Sequence, residues 1–485
     1  MNHALIMKIK NLLILFSCIL VSCSQKKENN ENHFSKEFIH DLKVMYVDCD
    51  EDAFNTIHED FKENRYIAVN IEYEGVKWSN VKLRIRGDSS RELPKKSLKL
   101  KFPKDSLFNN VRKINLNAEW YDKSYMSQYI SSYLMRENGV SCFNSSHTVI
   151  YVNEVFYGIF LMVENIDASF LRTRKFSTNS SLFKATKDGA CFNDSSEVDQ
   201  LWEVKSNNST QSKNRFKEFI TEVNNLSVYE AYDYYQHNFE YDELLTTVAL
   251  NILIGNKSTY YHNYYLLKDS LSSKWSMLPW DMDKTLMSPM LNLHYCRSTW
   301  SEGVNSNLPD NTIPELIFLN KQMKFDLEDK LNELKSSTFN NAHLNPIIDS
   351  LYRSLDQIIA LDVNDNISQV EEWDSAVNEL KDFIAKRPAI VLNQIANYPS
   401  SFEVLPAQNT TLYWSVPDSE TPVVYTIKMC TDFNFKKEQV YSYTTQENTF
   451  TPTELPKGVY YYFISAKNKA GSTTGFRIKS TLSVK

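Results

Sequence analysis

At 485 residues the chain is long enough for two or three domains. Hydrophobic residues make up 42% and aromatics 13% of it, which excludes a largely disordered chain and implies a well-buried core. A formal charge of −7 excludes the general basic field of a nucleic-acid binder, and only 10 glycines argue against glycine-rich repeats.

At the N-terminus, Lys8 and Lys10 precede an apolar stretch from Leu12 to Val21. That is the length of a signal-peptide core and short for a membrane-spanning helix. The sequence Leu20-Val21-Ser22-Cys23 resembles a bacterial lipoprotein lipobox. The resemblance implies cleavage before Cys23 and its lipidation, with residues 1–23 as signal and 24–38 as a polar tether. The expected location is then the cell envelope, lipid-anchored to a bacterial membrane, most simply the outer one. Cys49, Cys142, Cys191, Cys296 and Cys430 are widely spaced without a C-x-x-C pair, so no zinc pattern arises. One or two disulfides are open to them in an oxidising compartment, with no pairing legible.

From Tyr66 to Lys101 the residues alternate with a period of two, which predicts half-buried strands. Tyr125 to Glu137 has helical spacing and ends at Asn138-Gly139. Thr148 to Val152 and Phe156 to Val163 read as a hairpin turning near Asn153-Glu154. Residues 173–214, rich in Ser, Asn, Thr and Lys, read as a long irregular insertion. Asp242 to Ile254 predicts a helix running into Gly255. An aromatic strand after Ser258 and a second strand in "KWSMLPWD" follow. From Pro314 to about Tyr398 the pattern is helical, with Leu327, Leu331 and Leu334 on one face. Short alternating strands with Pro and Gly turns then run from Phe402 to Lys485, the pattern of a β-sandwich. Trp414 and the Tyr460–Phe463 run make this block resemble a fibronectin type III or Ig-like module, which implies binding or spacing.

The polar residues with chemical potential are few. Lys95, Lys96, Lys99 and Lys101 lie on or entering a strand, either as phosphate ligands or as a solvated basic edge. Glu164 ends an apolar strand, where a carboxylate is costly to bury alone, so it faces solvent or pairs with a cation. Asn263 is followed 18 residues later by Asp281. A spacing of this kind holds magnesium in several phosphoryl-transfer sites. Asp283, two residues on, points the same way in an extended chain. Capped turns are the alternative for both aspartates.

Four segments taken together, "RIRGDSSRELPKKSLKLKF", "YVNEVFYGIFLMVENID", "LIGNKSTYYHNYYLL" and "LPWDMD", resemble the spore-coat protein H (CotH) family over roughly residues 40–390. The resemblance implies an α+β chain: a kinase-like mixed core with a helical C-terminal lobe over residues 39–398, followed by the small β-sandwich over 402–485. It implies an atypical kinase that uses ATP with Mg2+ or Mn2+ and acts on Ser or Thr of envelope or surface proteins. The lipid membrane, reached through Cys23, would be its other partner, and nucleic acid would be none. On the matching positions, Lys96, with Lys95 as alternate, and Arg86 would meet the phosphates. Glu164 would lie near the nucleotide, and Asn263, Asp281 and Asp283 near the metal. The family carries a catalytic Asp five residues before the metal-binding Asn, and here that residue is Ser258. Serine cannot take the acceptor's proton at neutral pH, and loss of a general base costs about a hundred- to ten-thousandfold. A catalytically impaired pseudokinase or a non-enzymatic surface protein is therefore the alternative reading. His262 sits next to Asn263, on the opposite face if both are in a strand.

Overall fold

The computed structural model describes residues 42–187, 189–192, 195–290, 311–362, 370–431, 439–476 and 481–484. The lipobox-like segment with Cys23, and Cys296, lie outside them.

Seven strands close into a barrel in the order β1-β2-β3-β4-β5-β7-β6. They are β1 (Lys43–Cys49), β2 (Ile67–Tyr73), β3 (Val76–Ile85), β4 (Leu98–Lys101), β5 (Lys113–Asn117), β6 (Ser145–Val152) and β7 (Val155–Glu164). Closure comes from the parallel pairing of β1 with β6, which leaves no open edge. Helix α1 (Glu51–Glu59), capped by Asp50, follows β1. The hairpin turns Glu74-Gly75 and Asn153-Glu154 all have positive φ, as tight two-residue connections demand. The period-two alternation sends Met45, Val47, Val69, Ile71, Val81, Leu83, Leu98, Leu100, Ile114 and Leu116 into the barrel core. The partners of that alternation point outward. Pairing sets Arg84, Lys99 and Asn115 in one row and Lys82, Lys101 and Lys113 in the next.

Helix α2 (Ser127–Glu137) lies between β5 and β6 and ends at Asn138 and Gly139, the latter at φ +81°. After α3 (Ala168–Thr173) the chain builds a second, antiparallel sheet in the order β11-β10-β8-β9. Its strands are β8 (Ser181–Ala185), β9 (Trp202–Ser206), β10 (Tyr264–Lys268) and β11 (Trp275–Pro279), with α4 (Val198–Leu201) leading into β9. The expected irregular insertion at 173–214 is therefore corrected: it holds β8, β9, the short helix α4 and the start of a longer helix. Both strands are only five residues long, and β8 finds its partner β10 some eighty residues later, so local pattern carries little sign of it.

Helices α5 (Thr210–Asn224), α6 (Val228–Asn238) and α7 (Tyr241–Leu253) pack beside this sheet. Phe183 stacks on Phe216 and Phe219 on Trp275, each with centroids 4.1 Å apart. Every residue from Leu244 to Leu253 is buried, which makes α7 the central helix. Four more helices complete the lobe: α8 (Thr312–Leu319), α9 (Lys321–Ser337), α10 (Asn341–Ile359) and α11 (Val370–Asn397). Leu327, Leu331 and Leu334 of α9 are buried together, as their spacing predicts.

The C-terminal strands are β12 (Val404–Gln408), β13 (Thr411–Trp414), β14 (Val424–Cys430), β15 (Tyr441–Thr445), β16 (Thr449–Phe450), β17 (Gly458–Lys467), β18 (Ser472–Thr474) and β19 (Thr481–Val484). They form two sheets that share one core of Phe402, Leu412, Trp414, Tyr425, Ile427, Tyr462 and Leu482. Gly471 lets this unit rest on the ring of Tyr398, since a Cβ there would lie 2.2 Å from a ring carbon. None of the helices among the described residues is long and apolar enough to cross a membrane.

Candidate functional site

The β10–β11 hairpin brings the sequence-predicted polar residues together. Tyr264 pairs with Pro279, so Asn263 and Asp281 flank adjoining strand ends. Both adopt left-handed backbone, at φ +60° and +58°, a region that Asn and Asp tolerate better than other side-chain-bearing residues. The loop before β10 is pinned by amides. Asn256 donates to Asn251 Oδ1 (2.9 Å), the Ser258 N–H donates to Asn256 Oδ1 (3.2 Å), and Asn263 Nδ2 donates to Ser258 Oγ (3.1 Å). Ser258 thus touches Asn263 directly, and Oδ1 is the Asn263 atom able to take a cation. Residues 258–263 are bends, with Tyr260 at φ +71°, and the strand begins only at Tyr264. The strand alternation expected to turn His262 away from Asn263 therefore does not apply.

Helix α2 holds the acidic turn from the other side. Its Gln128 accepts from the Met282 N–H (3.1 Å) and donates to Glu119 Oε1 (2.7 Å). One turn on, Ser131 bonds Thr285 (2.8 Å), whose hydroxyl donates to the Met282 carbonyl (2.8 Å). The helix start is itself tethered by Asp122, which accepts from Ser124 and from the Ser127 N–H. Burial, and after it the charge of Asp281, raises the Asp283 carboxyl well above the usual range. Glu119 is also raised well above the usual range, by burial first and then by Asp283, Asp122 and Asp281.

Cations face these acids. Arg86, at the end of β3, donates to Asn117 Oδ1 and has Asp281 as its strongest favourable charge. Lys99 of β4 reaches Asn165 Oδ1 (2.8 Å). Burial, then Arg86, Arg84, Lys113 and Lys205, push it down to about 7. Lys184 of β8 lies 5.4 Å from the Trp280 ring centroid and is pushed down to about 8 by burial, Lys205 and Arg86. Lys113 and Lys205 have carboxylate partners in Asp167 and Glu203. Lys99 and Lys184 form no ion pair among the described residues. Two partly buried lysines, each set against the charges of Arg86 and Lys205, form a place for an anion.

The other predicted residues fall elsewhere. Lys95 is buried and bonded to Asp362 (2.5 Å) and the Ile159 carbonyl (2.6 Å). Lys96 donates to the Arg91 carbonyl (2.6 Å) and sits 4.2 Å from the Phe61 centroid. Glu164 is held by both terminal nitrogens of Arg174 (3.0 and 2.8 Å) and accepts from the Asn144 N–H (3.0 Å). Removing one member of such a buried pair strands a charge at a cost of about 3 kcal/mol. No disulfide joins Cys49, Cys142, Cys191 and Cys430 to one another. Lys184, Lys205, Glu119 and Gln128 were missed by sequence reasoning. The available signal was the alternation in β4, which turns Lys99 outward between Leu98 and Leu100.

Comparison with known proteins covers this region. A family model described as CotH kinase protein matches residues 83–391, which include Arg86, Lys99, Ser258, Asn263 and Asp281 and exclude the C-terminal sheets. Inner spore coat protein H of Bacillus subtilis (strain 168) is 21% identical over 319 residues, covering 64% of this chain and 85% of that protein. The proinflammatory kinase CtkA of Helicobacter pylori superimposes with a TM-score of 0.26 at 11% identity, over 61% of this chain and 94% of that one. A golgi casein kinase gives a TM-score of 0.26 at 8% identity, over 65% and 74%.

Proposed function

Because the chain belongs to the CotH kinase protein family, we propose that the polar residues at the ends of β3, β4 and the β10–β11 hairpin take a nucleoside triphosphate with Mg2+ or Mn2+. The observation that carries this reading is the gathering of Lys99 and Lys184 around Arg86, with Asp281 the acid beside Arg86 and Lys184. Hard oxygen donors on Asn263 and Asp281 suit these cations, and the amines and guanidinium suit phosphates. Bound there, the metal would neutralise charge on the transferring phosphate. The phosphate contacts are assigned to Lys99 instead of Lys96, because Lys99 is set beside Arg86, whereas Lys96 lies against Phe61 and donates to the Arg91 carbonyl.

Transfer to Ser or Thr of envelope proteins is the reaction this site would perform. Ser258 favours a second reading, a nucleotide-binding pseudokinase, since its hydroxyl only orients Asn263. Lipidation at Cys23 would tether the protein to the envelope membrane, with the C-terminal sheets as a binding or spacing module. Acyl groups on the mature N-terminus in mass spectrometry are the expected mark; a free amine at another residue would remove the anchor.

The assignment of lysines has a direct test. Lys99→Met is expected to weaken Mg2+-dependent binding of a non-hydrolysable ATP analogue about tenfold, the worth of one charge-assisted contact. Lys96→Met should stay within about twofold, and the reverse order would return the phosphates to Lys96. The pH dependence has a fixed sign. Lys99 and Lys184 lose protons near 7 and 8, against the ordinary 10.5. Analogue affinity should therefore fall from about pH 7 to pH 9. In the same window the unfolded chain binds more protons than the folded one, so the stability of the ligand-free protein should rise with pH. A flat affinity profile would remove both lysines from the site.

A further inference from the structure

Glu119 has no part in the assignment above, yet it is the least satisfied polar group near the acidic turn. The residue is only 4% exposed and holds left-handed backbone at φ +50° just after β5. Its Oε1 accepts from Gln128, whereas Oε2 is buried with no hydrogen-bond partner. Asn117 lies near enough to ease the charge, but no donor meets hydrogen-bond geometry at Oε2. The Gln128 side chain places this carboxylate one amide away from the Met282 N–H, between Asp281 and Asp283. Asp122, the other acid nearby, is spent on the start of α2.

A protonated Glu119 that merely held Gln128 would still be unsatisfied, because a proton on Oε2 would have no acceptor. A cation at Oε2 removes the orphan and the mutual repulsion of the acids together. Among the described residues no three His, Cys, Asp or Glu side chains converge to enclose a metal by themselves. That arrangement suits a cation that takes one or two carboxylates and completes its shell with phosphate and water. We propose that Glu119 is a further ligand of the divalent cation held by Asn263 and Asp281, an assignment that rests on the nucleotide–metal reading. The barrel then contributes to the metal through the end of β5, and cation binding draws both lobes onto one ion.

The test is a Mn2+ titration of the full chain followed by electron paramagnetic resonance, with and without the ATP analogue, on wild type, Glu119→Gln, Glu119→Asp and Asp281→Asn. Glu119→Gln should weaken Mn2+ about tenfold and add one water to the bound ion in the pulsed spectrum. Glu119→Asp, which withdraws the carboxylate by one methylene, should weaken it less. Melting without metal separates a folding defect from a ligand defect in each variant. Loss of Mn2+ affinity in whichever Glu119 variant folds supports ligation. Affinity kept within twofold in a folded Glu119 variant, while Asp281→Asn abolishes binding, overturns the role of Glu119 and leaves the site standing. Wild type that binds no Mn2+ overturns both.

Discussion

Replacing Asp281 by Asn is expected to weaken Mg2+-dependent nucleotide binding about a hundredfold, the scale of losing a charged metal contact, while the melting temperature hardly moves. The stability half of this expectation follows from the backbone. Asp281 sits at φ +58°, and Asn accepts that region as readily as Asp does, so the exchange adds no strain. The electrostatic terms oppose each other. Loss of attraction to Arg86 is offset by relief of repulsion with Asp283 and Glu119. Isothermal titration with the ATP analogue, with and without Mg2+, separates the two effects. A large fall in melting temperature with unchanged binding would make Asp281 a structural turn residue.

Part of the candidate site was legible because its residues hang on local pattern. Asn263 and Asp281 stand at the ends of two strands whose apolar runs are plain in the sequence, and pairing Tyr264 with Pro279 makes them neighbours. The lysines were harder. The motif pointed to Lys96, which precedes the strand, whereas the inward turn of Leu98 and Leu100 sets Lys99 in the outward row with Arg84 and Asn115. Lys184 and Lys205 lie in a stretch whose composition suggested a loop. Its strands exist because β10 offers β8 a partner, a non-local interaction with little trace in a five-residue window. Glu119 and Gln128 meet the acidic turn only through the packing of α2, and no motif announces that. Glu164 shows the converse case. The prediction that a buried carboxylate there needs a cation holds, yet the cation is Arg174, ten residues on, and the pair lies among Cys142, Asn144 and Thr173.

Ser258→Asp is expected to raise phosphotransfer about a hundredfold, the lower end of what a positioned general base contributes. The geometry of the loop supports the exchange. Ser258 already accepts the Asn263 amide through Oγ, so an aspartate can accept the same donor through one oxygen and turn the other to an incoming hydroxyl. The Ser258 N–H is anchored by Asn256 and that bond is independent of the side chain. Wild type should bind the ATP analogue and transfer little, because positioning and metal electrostatics survive without a base. Radiolabelled autophosphorylation of both proteins, with Asp281→Asn as the blank, measures the difference. A gain in Ser258→Asp that vanishes when Asp281→Asn is added would show a phosphotransfer scaffold with its base removed. Robust wild-type transfer that Ser258→Asp lowers would place the proton acceptor elsewhere. Asp283 is then the residue to replace next, since burial beside Asp281 raises its carboxyl to where it can exchange a proton near neutral pH.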